Sequence, residues 1–161
     1  MRHGYCVYMN RLADFARVRQ GLAVAGRAAG AREGDWHVSV IESAHIVDDR
    51  VDLEGLREIG IRQGVRSEAH LLRPYDLLVT ARAHSVRVAL VPPEVSRTVA
   101  ATTILVARTR DPSTGLAHFL WYYLTSTPGR AAIAARLSGT SLPSLSARAL
   151  GEVRVPSLPA D

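Results

Sequence analysis

The chain has 161 residues, 47% of them hydrophobic, which is enough for one folded core and too apolar for wholesale disorder. Its 20 basic residues are all arginine and face 15 carboxylates, for a net charge of +5, and the single cysteine, Cys6, excludes an internal disulfide and a cysteine-rich zinc module. No run of about 18 apolar residues occurs and no signal-peptide core opens the chain, so a soluble cytoplasmic protein that needs no membrane is expected.

Residues 1–10 read as an N-terminal extension and 11–161 as one domain. Leu12, Phe15 and Ala16 recur at helical spacing within 11–20, which predicts a first helix ending at Gly21. Gly26, Gly30 and Gly34 then mark a loop suited to contacting a ligand. Residues 36–41 alternate as a strand, Asp48-Asp49-Arg50 is a solvated turn, and an acidic stretch begins at Val51. Pro74 occupies the favoured second position of a turn leading into the strand 77–80. The polar break 82–85 and the alternating run 86–91 make those two strands a hairpin that stops at Pro92-Pro93. Residues 98–107 form a third β-rich run. The period then changes: Leu116, Phe119, Leu120, Tyr123 and Leu124 predict a helix with a buried face. Pro128 and Gly129 interrupt it, a second helix covers 130–137, a helical turn with Ser144 as N-cap covers 144–150, and 153–155 is a closing strand. Strands followed by helices and a terminal strand imply an α+β domain: a twisted, mostly antiparallel sheet, short helices packed at one side and a helical C-terminal third.

The charge is unevenly placed. Residues 1–80 carry eleven arginines against eleven carboxylates, whereas 81–161 carry nine against four, so the second half holds the whole +5. A surface that neutralises phosphates and releases their counterions needs such an asymmetry. Catalytic signatures are missing from the sequence: no P-loop, no GxGxxG opening a helix after a strand, no HExxH and no GxSxG elbow. No Asn/Asp-Pro-Pro-aromatic methyltransferase motif is present either, and a metal pair built from His37 and His45 is a weaker account of those residues than surface hydrogen bonding. No cofactor is expected.

Five segments in order resemble the target-recognition domain of the specificity (S) subunit of Type I restriction–modification systems. LLRPYDLLV (71–79) is similar to that family's "L-x-x-G-D-hydrophobic-L" entry to a central strand, and RAHSVRVALV (82–91) to its following hairpin. Residues 139–156, with Gly139-Thr140-Ser141, Leu150 and Val153-Arg154-Val155-Pro156, resemble its closing Gly-Ser/Thr loop, short helix and "V-P-x-P" strand. Residues 119–130 resemble its "F-L-x-x-x-L-x-S-x-x-G-R" helix, and 12–21 its opening segment. Tyr75 stands where the family has Gly, which predicts a type I turn free of positive φ; Ala83 and Val86 replace hairpin glycines. No spacer helix or second recognition domain follows Pro159 in this sequence, so the domain is expected to borrow its second half or to do without it.

The resemblance implies a non-catalytic module that reads a half-site in double-stranded DNA for a phage-defence complex. Its implied partners are a methyltransferase or nuclease subunit, or a second copy of itself. The base-reading candidates are Arg82, His84, Ser85 and Arg87 in the hairpin and Arg97 and Thr98 at the next strand, because a guanidinium can bond guanine O6 and N7 together. Thr140 and Ser141 are candidates for phosphate, as are Arg19 and Arg27, with Arg17 and Arg32, flanking the glycine loop. The plainer reading makes Arg87 an outward strand position and the 140–141 loop a helix cap. The alternative function is a recognition fold reused to dock a methyltransferase or nuclease, with Trp121, Tyr122 and Tyr123 as an interface.

Overall fold

A computed structural model describes residues 8–24, 34–82 and 85–157. In chain order these form β1 (Met9–Arg11), α1 (Leu12–Phe15), β2 (Ala16–Gln20), β3 (Asp35–Ile41), a 3₁₀ turn (Ser43–His45), β4 (Ile46–Val47), β5 (Arg50–Val51), β6 (Arg57–Arg62) and α2 (Val65–Glu68). There follow β7 (Leu77–Thr80), β8 (Val88–Leu90), β9 (Thr98–Ala100), β10 (Ile104–Thr109), α3 (Thr114–Thr125), α4 (Thr127–Ala134), α5 (Ala147–Gly151) and β11 (Arg154–Pro156). The fold is mixed α+β, as the element order predicts.

Six strands make the central sheet in the order β2-β10-β7-β8-β5-β4, antiparallel except where β5 meets β8. β6-β3-β9 form a second sheet, and β1 closes on β11 from Met9↔Pro156 to Arg11↔Arg154. All four residues of β7 are buried, because the central sheet is covered on both faces. Leu77 and Val79, with Leu105 and Ala107 beside them, lie under Leu116, Leu120 and Leu124 of α3 and Ile133 of α4. Leu78, Ile104 and Val106 point the other way, toward Ile41, Ile46 and Leu72. Side chains of Leu77 or Leu78 type, wholly enclosed, each stabilise the fold by about 2–5 kcal/mol relative to alanine.

Several expected elements differ in kind. The helix predicted over 11–20 lasts only from Leu12 to Phe15, and the chain is then extended through Gln20, paired with β10 from Leu105↔Gln20 to Thr109↔Ala16. One helical turn has little intrinsic stability, and the ladder to β10 outweighs it. Gly21 does not merely end an element. A Cβ there would lie 2.0 Å from the Ala101 carbonyl oxygen, so only glycine lets the chain pass between the two sheets, donating its N–H to Ile104 O. The 98–107 run divides at Ala101–Thr103 into β9 and β10, which belong to different sheets. Pro128 and Gly129 are not a break but the first turn of α4, whose Ser126 cap accepts the Gly129 N–H. The cap of the last helix is Ser146, which accepts from Ala149 N, rather than Ser144. Tyr75 adopts φ +67, the left-handed conformation that the type I expectation excluded. A tyrosine therefore holds a left-handed turn position that glycine ordinarily favours.

Candidate nucleic-acid interface

The β7–β8 hairpin is held at both shoulders. On the entering side Ala81 accepts the Leu145 N–H at 2.7 Å and donates its own N–H to Thr103 O at 2.8 Å, and Arg82 bridges to Ser144. Ser144 in turn exchanges two backbone hydrogen bonds with Ser138, at 2.8 and 2.9 Å, which closes the 138–144 loop beside the hairpin. On the returning side Arg130 reaches from α4 to donate Nη1 to Val86 O at 2.9 Å, Nε to Thr125 O at 2.9 Å and Nη2 to the Asp49 carboxylate. Asp49 also accepts the Val88 N–H at 2.9 Å, and the Trp121 indole N–H is shared between Asp49 O and Val88 O. The Asp48-Asp49-Arg50 turn is therefore not simply a solvated tip: Asp49 is a half-buried acceptor tying β8 to the helices. Between these clamps the described residues Arg82 and Ser85 are exposed.

The structure brings some of the candidate residues together and separates others. Arg82 is exposed, with no side-chain partner among the described residues, and it borders a groove also lined by Gln20, Thr102, Ser138, Ser144 and Ser146. Thr140 and Ser141 are exposed in the neighbouring closed loop, and Ser85 is exposed on the hairpin. His84 and Arg27 lie outside the described residues, as do Arg32, Gly26 and Gly30.

Three candidates are otherwise employed. Arg87 spends its guanidinium on Ile46 O at 2.6 Å, and its N–H goes to Thr80 Oγ1, so it braces β8 against β4. Thr98 is 3% exposed and donates its hydroxyl to Ser96 O, so it cannot meet a base edge. Arg19 is half-buried with Nη2 on His70 O at 3.2 Å. Burial, and then the neighbouring Arg108 charge, lowers the Arg19 pKa, which describes a packed side chain rather than a phosphate hook. Arg97 is exposed at φ +41, but stands at the opposite end of β9 from the Thr102 that lines the Arg82 groove.

Sequence reasoning missed two things here. The hydroxyls of Ser138, Ser144 and Ser146 join Arg82 only through non-local bridges, for which no local pattern exists. The motif residue Asp76 is 2% exposed and accepts Arg108 Nε at 2.8 Å, Arg108 Nη2 at 2.7 Å and the Arg73 N–H at 2.9 Å. That bidentate carboxylate bonding raises the Arg108 pKa. Asp76 thus locks the turn before β7 and does not line the Arg82 groove. Among the described residues no group of three histidine, cysteine or carboxylate side chains could hold a metal, and His45 Nδ1 accepts the Glu42 N–H. No described helix is long and apolar enough to cross a membrane.

No protein-family model and no curated protein sequence matches the chain. Solved structures do. The HsdS subunit from Thermoanaerobacter tengcongensis aligns at TM-score 0.61 and 15% identity, over 96% of this chain and 39% of that one. The S subunit of a Type I restriction–modification system from M. genitalium aligns at TM-score 0.51 and 11% identity, over 98% of this chain and 36% of that subunit. A chain of a type I R-M complex aligns at 0.55 and 15%, over 97% and 36%. This chain has the fold of a part of a Type I S subunit. It spans a little over a third of the length of the chains it matches.

Proposed function

We propose that the chain is a specificity module that reads a short half-site in double-stranded DNA for a restriction–modification or related phage-defence complex, with catalysis left to a methyltransferase or nuclease partner. The observation that carries this reading is Arg82: an exposed guanidinium with no side-chain partner among the described residues, on a hairpin whose two shoulders are pinned by Leu145 and Arg130. A rigidly presented arginine can bond guanine O6 and N7 in the major groove, whereas one on a slack loop loses that energy to ordering. Thr140 and Ser141, in the closed loop alongside, would take adjacent phosphates through hydroxyl and backbone N–H groups. Ser85 and His84 would share the base-reading role, while Arg87 acts from behind as a brace.

A salt titration tests the reading against protein docking alone. Binding to a mixed-sequence duplex, followed by fluorescence anisotropy, should weaken at least tenfold as salt rises from about 50 to about 200 mM, because several phosphate contacts release counterions. A chain that docks proteins without touching DNA would give no salt-dependent anisotropy with the duplex.

A further inference from the structure

A second groove adjoins the first. It is lined by Arg17, Arg110 and Arg148 over a floor of small residues, Ala13, Ala16, Ala147 and Gly151, and it meets the Arg82 groove at Ala147. α5 packs so closely on α1 that a Cβ on Gly151 would sit 3.3 Å from Ala13 Cβ, which keeps the floor free of bulky side chains. Arg17 and Arg148 are exposed and make no side-chain hydrogen bond or ion pair to any described residue; Arg110 gives Nε and Nη2 to Ala13 O at 3.3 and 3.2 Å, and its Nη1 has no partner among the described residues. The carboxylate lining this groove, Glu152, faces Arg11 Nη1 at 3.5 Å and shares that guanidinium with Asp14 at 3.1 Å, against the three arginines of the groove. We infer that Arg17, Arg110 and Arg148 form a phosphate track continuous with the Arg82 groove, along which one DNA strand's backbone runs.

The dimensions fit. Arg17 and Gln20, one in each groove, are three residues apart on the extended strand β2, or about 10 Å at 3.3 Å per residue. That separation is short enough for one strand's backbone to cross both grooves. The track would therefore pass beside Arg82; Arg17 and Arg148 belong to the segments that resemble the family's opening and closing motifs, whereas Arg110 lies outside them. Open guanidinium groups on a shallow surface bind phosphate without selecting sequence, so they would contribute affinity and register only.

This inference rests on the DNA-reading proposal, and a single experiment separates the two. The Arg17→Ala/Arg148→Ala double variant removes two side chains with no partner among the described residues, so its thermal melt should match wild type. Its plot of log binding constant against log salt on a mixed-sequence duplex should be shallower by about two, roughly one unit per contact. The sequence enriched from a random duplex library should stay the same. An unchanged salt slope in the double variant, with wild type binding and enriching normally, overturns the track alone. Absence of salt-dependent DNA binding by wild type overturns the track together with the reading it rests on.

Discussion

Replacing Asp76 with alanine should cost the fold about 3–4 kcal/mol while leaving the sequence preference of the folded protein unchanged. The magnitude follows from the partners. Asp76 is 2% exposed and accepts three N–H groups, two of them from Arg108, whose side chain is 24% exposed. Removing one member of a buried ion pair costs about 3–5 kcal/mol, because the other is left charged and unsatisfied. Arg108 keeps its bond to Leu71 O and some access to water, which places the pair near about 3 kcal/mol on that scale. The orphaned Arg73 N–H adds about 1 kcal/mol. At about 2–4 °C per kcal/mol for a domain of this size, the melting temperature should fall by about 10 °C. Urea unfolding followed by the fluorescence of Trp36 and Trp121 measures the change directly. The double variant Asp76→Ala/Arg108→Ala should be less destabilised than the sum of the two singles, by at least about 1 kcal/mol of coupling. A loss below about 1 kcal/mol for Asp76→Ala, or strict additivity in the cycle, would refute the assignment of this motif residue to a buried structural pair.

Other substitutions probe neighbouring parts of the account. Tyr75→Ala should be less stable than Tyr75→Gly by about 1 kcal/mol in thermal melts, since both lose the ring contact with His118 and only glycine occupies φ +67 without strain; an equal or reversed order would contradict that conformation. Gly21→Ala should destabilise strongly, and slow refolding would be an insufficient readout; equilibrium urea melts should show a loss of more than about 2 kcal/mol, because a Cβ 2.0 Å from Ala101 O forces the two sheets apart. Arg130→Ala should cost about 1.5–3 kcal/mol and broaden DNA sequence preference, because the Val86 shoulder of the hairpin is freed; a variant that melts lower yet keeps full discrimination would limit Arg130 to stability.

Much of the architecture was legible because it was written in local periods. The alternation of 36–41 and 86–91, the turn at Pro74 and the helical recurrence from Leu116 to Leu124 all correspond to observed elements. Failures arose where long-range pairing decided the outcome. Leu12, Phe15 and Ala16 have helical spacing, yet Ala16–Gln20 is claimed by β10, whose partner register no local pattern records. β6 was hidden in a charged stretch, with only Ile59 and Ile61 buried against β3. The site shows the same division. Arg82 and the 139–141 loop could be picked from composition and order, but that Ser144 joins them depends on an isolated bridge between segments 62 residues apart. Arg87, Thr98 and Arg19 looked alike in sequence to a free arginine or threonine, and only their contacts with Ile46, Ser96 and His70 show that they are committed.

The claim that this S-subunit fold reads DNA through its pinned hairpin is tested most directly by enrichment from a random duplex library with wild type and Arg82→Ala side by side. Wild type should enrich a discrete sequence, and Arg82→Ala should lose discrimination at one position by about 1–3 kcal/mol while its salt slope changes by one unit at most. Enrichment of no sequence by wild type, or the same sequence with undiminished discrimination by Arg82→Ala, would contradict it.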